Sequence, residues 1–382
     1  MPVIFELLGY PATDDSREVA ESRKKAYCPF ISDTCDGGGN RHMSDIDLKR
    51  HPELQKMFPG MDTVPSGVCS IQLAPGTAPW IICPRRLLYM GQKADWHTLF
   101  GETQRKLLEK CNFVPCSTIG IWSELKVTYS EGNNDSFDYT FDYVLVPLGR
   151  VSSAQAELET GMRWQQLMRI LENNGHSFAM REGQIYVEDF PVGKPVIVEV
   201  MTSSTSGGNK NNRSCIPQAF EDCVLKRQHL APGINYRQVW ARMASQLIVK
   251  SQAAMAWGGK TIWVLQDLLA NYISSSTALD LSRFVAEHTN EVNILTFSYG
   301  ENYRHPIQTK TVSLGNSVLY SGPIRPNFGK DARPCFQDIV LASVCPPRRV
   351  LMAALCRKEM ANVLTTPDKN GCVQSRLDIR RR

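Results

Sequence analysis

The chain has 382 residues and a formal net charge of +5, with 42% hydrophobic and 21% charged residues. These proportions are ordinary for a soluble globular protein and allow one large domain or two modest ones. The sequence has no run of eighteen uncharged apolar residues, which argues against a membrane span, and its first thirty residues lack a signal-peptide core. We therefore expect a cytoplasmic protein whose twelve cysteines are metal ligands or buried thiols rather than disulfides.

The first ninety residues differ in texture from the rest of the chain. They are rich in Gly, Pro, Asp and Cys and show no sustained periodicity. We expect such a segment to bury little apolar surface and to need a structural metal. This contrast predicts a metal-binding region over 1–95 and a larger domain over 96–382, with an insertion at about 150–190.

From residue 97 onward, helix and strand patterns follow one another clearly. The helix over 236–256 has the strongest 3.6-residue repeat and ends before Gly258. Without the insertion, the order up to residue 266 is helix, three strands, helix, strand. The predicted elements are a helix over 97–110, strands over 117–129 and 137–147, a helix over 154–173, a hairpin turning at Glu182-Gly183, a strand over 195–201, a loop over 202–212, a helix over 236–256 and a strand over 261–266.

Acidic residues stand inside three of these strands. Glu199 is wedged between Val198 and Val200, while Asp142 and Glu124 lie in the two aromatic strands before it. A buried, unpaired carboxylate costs several kcal/mol, so Glu199 should have a partner such as a cation. Phosphodiester hydrolysis uses Mg²⁺ held by such oxygen ligands to activate water and relieve charge on the phosphate. The alternative is that each acid faces solvent.

The segments around these acids resemble those of the NotI-type restriction enzymes, which belong to the PD-(D/E)XK nuclease superfamily. Residues 198–204 (VEVMTSS) are similar to the family's Glu-X-Gln-Thr strand. Residues 139–143 (YTFDY) resemble the second-strand segment that holds an aspartate. Residues 122–126 (WSELK) lie where the family carries an additional glutamate.

This resemblance implies an α/β (α+β) fold whose core is a mixed sheet flanked by helices. It implies that Asp142 and Glu199 bind catalytic Mg²⁺, with Glu124 as a third acid.

One position departs from the family pattern, because Met201 stands where the family has Lys or Gln. A thioether neither binds Mg²⁺ nor orients an attacking water. Lys126, Gln246 and Lys250 are alternative sources of the missing group. Gln246 is our prediction for that catalytic role.

Four cysteines precede the predicted nuclease core. Four thiolates can hold Zn²⁺ or Fe tetrahedrally, but the spacing is irregular and no CxxC pair is present, so scattered buried thiols are the alternative. The NotI-type enzymes show a similar run, including a Trp-hydrophobic pair before the last cysteine. The resemblance implies a structural, DNA-proximal Fe or Zn site whose ligands are Cys28, Cys35, Cys69 and Cys83. We interpret the other cysteines as core thiols.

The polar loop after the third acidic strand is a candidate DNA contact. Its glycines allow close backbone approach, and its amide and basic side chains can reach phosphates or base edges. A polar surface loop without a ligand is the alternative. The candidate DNA-binding residues are Asn209, Lys210, Asn212, Arg213 and, outside the loop, Arg242, with Arg85 and Arg86 as weaker ones.

The resemblance covers roughly residues 24–270 and implies a type II site-specific deoxyribonuclease. Such an enzyme hydrolyses double-stranded DNA at a palindromic, here GC-rich, site as a homodimer, alongside a cognate DNA methyltransferase. Two alternatives stay open. Met201 is compatible with a metal-stabilised DNA-binding protein without catalysis, and the same fold also serves repair and transposition nucleases.

Overall fold

The computed structural model describes residues 1–38, 45–90, 102–114, 118–131, 135–277, 280–325 and 334–336. Within these ranges no helix is long and apolar enough to cross a membrane. The described residues belong to one compact unit, and the predicted boundary at residue 95 stays a prediction. The start of the helix predicted over 97–110 lies outside the described residues, as do Cys116, Cys345, Cys356 and Cys372.

Sixteen strands lie within the described ranges. In chain order they are Val3–Leu7 (β1), Tyr10–Pro11 (β2), Tyr27–Cys28 (β3), Asp33–Thr34 (β4), Asp45–Asp47 (β5), Thr63–Pro65 (β6), Val68–Gln72 (β7), Trp80–Ile81 (β8), Ile119–Glu131 (β9), Asp135–Ser152 (β10), Phe178–Arg181 (β11), Gln184–Pro191 (β12), Val196–Met201 (β13), Lys260–Gln266 (β14), Val292–Phe297 (β15) and Ser317–Gly322 (β16).

Nine α-helices lie in the same part of the chain. They are Arg17–Lys24 (α1), Pro52–Met57 (α2), Pro84–Leu87 (α3), Glu102–Cys111 (α4), Ser153–Thr160 (α5), Trp164–Asn173 (α6), Ile216–Val224 (α7), Tyr236–Ala256 (α8) and Asp267–Thr277 (α9), with 3₁₀ turns at Leu48–Arg50 and Leu281–Phe284.

The larger sheet is mixed and flanked by helices, as the sequence predicts. Its order among the described strands is β11-β12-β10-β13-β14-β15-β16, and β9 pairs with β10. Strands β13, β14 and β15 run parallel, while β9, β10, β12 and β16 pair antiparallel with their neighbours. Parallel neighbours need a crossover connection, and α7 and α8 lie in the connection from β13 to β14.

Strand β13 and helix α8 form where the sequence predicts them. Strand β13 is apolar apart from Glu199 and is buried along nearly its whole length, as a strand covered on both faces must be. Helix α8 begins after Asn235, whose side chain accepts a hydrogen bond from the backbone N–H of Gln238. Its buried stripe packs against β13 and β14.

The single helix predicted over 154–173 is wrong, because the segment forms two helices, α5 and α6. Gly161 ends α5 in the left-handed conformation, with a φ of 67°. Its backbone N–H donates to the carbonyl of Glu157. A glycine at this position is a strong stop signal, since it takes positive φ without a steric penalty.

The expectation that the first ninety residues bury little apolar surface is also wrong. Strands β2, β1, β7 and β8 form a four-stranded sheet. This sheet packs into a core that includes Ile4, Leu7, Leu54 and Ile71. Helix α7, more than a hundred residues later, contributes Phe220 to the same core. The apolar face is completed by a distant segment, so local periodicity does not reveal it.

The segment from Trp80 to Cys83 joins the N-terminal sheet to the larger one. Gln266, at the end of β14, accepts from the backbone N–H of Ile81 at 2.8 Å and donates to the carbonyl of Pro79 at 2.7 Å. Just beyond β13, the backbone N–H of Ser203 donates to the carbonyl of Ile81. Helix α3 therefore begins at the carboxyl ends of parallel strands, where ligand sites in α/β sheets commonly lie.

Candidate active site

Three acidic residues lie in one row across three neighbouring strands. The register between β9 and β10 pairs Tyr143 with Ser123, and that between β10 and β13 pairs Tyr143 with Val198. Position 142 is therefore flanked by position 124 on one side and position 199 on the other. The structure thus brings together Glu124, Asp142 and Glu199, the three acids that the sequence singles out.

In this row, two carboxylate side chains accept hydrogen bonds from backbone N–H groups of the neighbouring strand. The Asp142 carboxylate accepts from the backbone N–H of Val200 at 2.9 Å, and Glu199 accepts from the backbone N–H of Asp142 at 3.4 Å. On the edge strand, Glu124 has a φ of 51°. A positive φ is uncommon for a residue with a side chain, and such strained positions cluster at functional sites.

A buried ion pair joins Glu199 to helix α8. The Lys250 ammonium donates to Glu199 Oε2 at 2.5 Å and to the carbonyl of Thr140 at 2.7 Å. Glu199 is 2% exposed and Lys250 is 3% exposed. The ammonium also lies 5.4 Å from the centre of the Phe141 ring. Each buried charge therefore has the partner that its desolvation requires.

The Glu199 carboxyl is hard to ionise in the metal-free site. Burial, followed by the nearby charge of Asp142, raises its pKa to about 8, while Lys250 acts in the opposite direction. Two carboxylates that repel each other in a buried setting are a typical arrangement for binding a cation.

A cleft opens beside Asp142. It is lined by Pro84, Arg85, Glu124, Asp142, Tyr143 and Val200, among others. A second depression adjoins it at Pro84 and Val200 and extends past Thr202 and Ser204 to Arg242. Arg242, an exposed residue of α8, therefore lies next to the candidate site, and its contact with DNA stays a prediction.

The three proposed substitutes for Met201 have different positions. Met201 packs partly against the apolar cluster beneath α8 and α9. Lys126 is exposed and pairs with Asp138 at 3.2 Å. Gln246 lies about one helical turn before Lys250 and is half-buried. Of the three, Lys250 is the one in contact with an acid of the row, Glu199.

A sequence signal for Lys250 exists, although the Gln246 prediction does not use it. The buried positions of α8 include Met243, Leu247, Lys250 and Ala254, so the lysine stands inside the apolar stripe. A lysine is almost never fully buried unless it is paired. Its place in that stripe therefore indicates a buried acidic partner.

The four predicted metal-ligating cysteines lie near one another. Cys28, Cys69 and Cys83 are buried and Cys35 is half-buried. The Cys69 thiol donates to the carbonyl of Gly67 at 3.9 Å. Its interaction with Cys83 raises the pKa of Cys69 and lowers that of Cys83. Burial raises the pKa of Cys28 to about 12 and raises that of Cys35 further, with neighbouring cysteines adding to both shifts.

Backbone N–H groups lie beside these sulfurs. Gly9 donates to Cys69 at 3.3 Å. At the other three thiols, backbone groups act to lower the pKa: Phe30 and Ile31 at Cys28, Gly37 at Cys35, and Arg85 and Arg86 at Cys83. Gly67 is required here because a Cβ at its position would lie 2.2 Å from the side chain of Leu8 and 3.5 Å from Cys35 Sγ.

The acids and thiols are donor types that bind metal ions, but their spacing does not form a metal site. Across the described ranges, no three His, Cys, Asp or Glu side chains form a group that could hold a metal ion. The described residues therefore offer suitable donor types, but not a finished set of three or more ligands at either position.

The polar loop after β13 has its own internal bonding. The Asn209 side chain accepts from the backbone N–H groups of Asn211 and Asn212 at 2.8 and 3.4 Å. Arg213 binds Asp222 at 2.8 Å and Glu221 at 3.0 Å, both on α7. Asn209, Lys210 and Asn212 are exposed. Arg213 thus secures the loop, and the other three candidate DNA contacts face solvent.

Arg86 differs from its neighbour Arg85 in being buried. Its guanidinium donates two hydrogen bonds to the Glu6 carboxylate, at 2.9 and 3.0 Å, and one to the carbonyl of Val312. Glu6 also accepts from Tyr299 and Ser70. Arg86 therefore joins buried segments of the fold, and the weaker prediction that it contacts DNA is wrong.

Comparison with known proteins gives no match: no family model matches this chain, and no curated protein does.

Proposed function

We propose that this protein is a Mg²⁺-dependent DNA endonuclease of the type II restriction kind, with a PD-(D/E)XK core. The observation that carries the proposal is the row of Glu124, Asp142 and Glu199 across three strands, with the buried Lys250 ammonium against Glu199. Acids on adjacent strands together with a lysine are the combination that metal-assisted phosphodiester hydrolysis uses. The substrate that we propose is double-stranded DNA with a palindromic, GC-rich site.

Asp142 and Glu199 are the proposed ligands of the catalytic Mg²⁺. Mg²⁺ retains several waters and is commonly bound by only one or two carboxylates, so two protein ligands suffice. Burial and, after it, the charge of Asp142 raise the pKa of Glu199, and a cation bound by the two carboxylates would favour their ionised forms. When bound, Mg²⁺ supplies Lewis acidity and lowers the pKa of a coordinated water.

We propose that Lys250 takes the catalytic role that Met201, standing where the family has Lys or Gln, cannot fill. Its ammonium fixes the Glu199 carboxylate and places a positive charge and a proton donor beside the acids. Helix α8 holds it there because the lysine stem is packed in the buried stripe of that helix. Gln246 stays our sequence-based alternative for this role.

For the four cysteines we propose a structural Fe or Zn site. The donor chemistry supports it, because cysteine sulfurs are ligands that Fe and Zn sites commonly use, and the four lie near one another. Burial raises the pKa of Cys28 and Cys35, so metal binding would release their protons. The spacing does not yet fit a metal, so binding would have to draw the sulfurs together. This metal would hold β3, β7 and the start of α3 together, with no part in the hydrolysis.

The test is cleavage of plasmid and phage DNA by the purified protein with Mg²⁺, with EDTA, and by the Glu199→Ala variant. Glu172→Ala, at an exposed position of α6, is the matched control. Discrete fragments that require Mg²⁺ and Glu199 are the expected result. If the wild type and both variants bind DNA tightly and none of them cleaves it, the protein is better explained as a DNA-binding protein without catalysis.

A second comparison separates restriction from repair or transposition. DNA methylated by the cognate methyltransferase should resist cleavage, while the same unmethylated DNA is cut at one repeated sequence. Cleavage that depends on lesions or on transposon ends, and ignores methylation, would favour the repair or transposition alternative. Gel filtration of the complex tests the homodimer that we propose.

A further inference from the structure

Arg85 lies on the wall of the acidic cleft. It follows Cys83-Pro84 at the start of α3, and its side chain lines the cleft together with Asp142 and Glu124. Its side chain is 17% exposed. This position combines shielding from bulk solvent with access to whatever enters the cleft.

Two contacts fix the orientation of the Arg85 guanidinium. Its Nε donates to Asp36 Oδ2 at 2.8 Å, and its Cζ lies 5.0 Å from the centre of the Tyr89 ring. An ion pair and ring stacking on one guanidinium restrict its rotation, so less conformational entropy remains to be lost on binding. The group is therefore held before any substrate arrives.

The other two nitrogens of Arg85 make long contacts. Nη1 lies 3.4 Å from the Tyr143 hydroxyl, and Nη2 lies 3.8 Å from Glu124 Oε1. The Glu124 side chain is 53% exposed and can move towards solvent. These contacts are weak enough for a phosphate, which matches the guanidinium fork with two parallel hydrogen bonds, to replace them.

Two neighbouring cations cannot take this role. Lys250 is 3% exposed and donates to Glu199 and Thr140. Arg86 is 5% exposed and bound to Glu6. Of these three cations, Arg85 is the one with donor groups directed at the cleft.

We infer that Arg85 binds the phosphate group that is hydrolysed. This inference rests on the proposed function. In the reaction a water oxygen attacks phosphorus, and the bond from phosphorus to the leaving sugar oxygen breaks. The water gives up one proton, and the leaving oxygen takes up one. Arg85 donates to the two non-bridging oxygens, on which negative charge is concentrated.

The experiment uses the full-length protein and a duplex that contains one mapped cleavage site. Single-turnover cleavage in Mg²⁺ and duplex affinity in Ca²⁺ are measured for wild type, Arg85→Ala and Arg85→Lys. Arg150→Ala is the matched control, because Arg150 is also paired with an acid, Glu188, but lies near the end of β10, where that strand pairs with β12. We expect Arg85→Ala to slow cleavage about 100-fold or more and Arg85→Lys about tenfold, with affinity changed less than fivefold.

Arg85→Ala loses the ion pair with Asp36 and could therefore destabilise the protein. A second substrate, used with Arg85→Lys, tests the role of Arg85 in that case as well. In this duplex a neutral methylphosphonate replaces the phosphate at the cleavage position. Arg85→Lys, which keeps a cation near Asp36, should weaken Ca²⁺-supported binding of the normal duplex relative to wild type. It should bind the methylphosphonate duplex as wild type does.

The outcomes separate the inference from the proposed function. If both Arg85 variants cleave DNA at the wild-type rate, the proposed role of Arg85 is overturned and the nuclease proposal stays intact. An equal loss of affinity for both duplexes also overturns it. If the wild type cuts no DNA under any metal condition, the proposed function and this inference fail together.

Discussion

The ammonium of Lys250, on helix α8, donates a buried hydrogen bond of 2.5 Å to the carboxylate of Glu199, on strand β13. Position 201, two residues further along that strand, holds methionine. The positive charge next to the strand acid therefore comes from a different secondary-structure element. If the proposed nuclease activity is correct, catalysis depends on how α8 packs on the sheet.

Replacing Lys250 by Met should abolish Mg²⁺-dependent cleavage and destabilise the fold. Above about pH 8, where Glu199 is ionised, removing Lys250 leaves a buried carboxylate without its counter-charge, so we expect the free energy of unfolding to fall by about 3 kcal/mol. The double variant Glu199→Gln/Lys250→Met should recover most of this stability but no activity. Urea denaturation and plasmid cleavage provide the measurements.

The matched variant for that experiment is Gln246→Ala. It removes the sequence-predicted candidate one turn away on the same helix and should leave cleavage within about threefold of wild type, as for a side chain that touches no acid. Loss of cleavage in Gln246→Ala, with Lys250→Met still active, would reverse the assignment of the two residues.

Cleavage should increase with pH up to about 8. The pKa of Glu199 is raised to about 8, so at lower pH a proton competes with Mg²⁺ for this carboxylate. At subsaturating Mg²⁺ the rate at pH 6 should be about 100-fold below the plateau, following one proton over two pH units. A rate that is flat from pH 6 to 9 at low Mg²⁺ would contradict the role of Glu199 as a ligand.

The same group gives the stability of the metal-free protein a defined pH dependence. The folded-state pKa of Glu199 lies above its ordinary value of 4.5. Its contribution is therefore fully present below pH 4.5 and is lost as pH rises through about 8. We expect added Mg²⁺ to raise the melting temperature more at pH 8.5 than at pH 6.

The purified protein should contain about one Fe or Zn per chain, lost in Cys83→Ser. Metal analysis by mass spectrometry measures the content, and Cys223→Ser is the control because its half-buried sulfur lies outside the group of four. The metal should also raise the melting temperature, since it binds the folded state alone. Equal metal content in both variants, or none in the wild type, would mean that the four thiols are only buried core groups.

Lys210→Ala should weaken DNA binding to all sequences alike. Lys210 is exposed in the loop after β13, and loss of one phosphate contact reduces the salt dependence of log affinity by about one. Lys226→Ala, an exposed lysine paired with Asp15, should change neither quantity. Fluorescence anisotropy at several salt concentrations is the measurement, and an unchanged slope for Lys210→Ala would exclude the loop from the interface.

The elements that support the site are predictable from the sequence because their signals are local. An apolar run bounded by a polar loop predicts β13, and a 3.6-residue repeat bounded by Gly258 predicts α8 with the bounds that the structure has. The acid inside β13 is visible for the same reason. Each of these signals lies within about twenty consecutive residues.

The partners of the site residues are not predictable in this way. Arg86 and Glu6 are 80 residues apart in sequence, and Lys250 and Glu199 are 51 apart. Which charged residues meet depends on strand register and on how α8 packs, and neither is written in a local pattern. The core of the first ninety residues was mispredicted for the same reason, since Phe220 completes it from α7.

Residues 83 to 86 connect three separate environments within four consecutive positions. Cys83 belongs to the thiol group, Arg85 faces the cleft, and Arg86 is buried on Glu6. A one-residue insertion here would rotate every later side chain by about 100° around the helix axis, and all three connections would be lost together. Homologous chains should therefore keep a fixed spacing between the thiol and the two arginines.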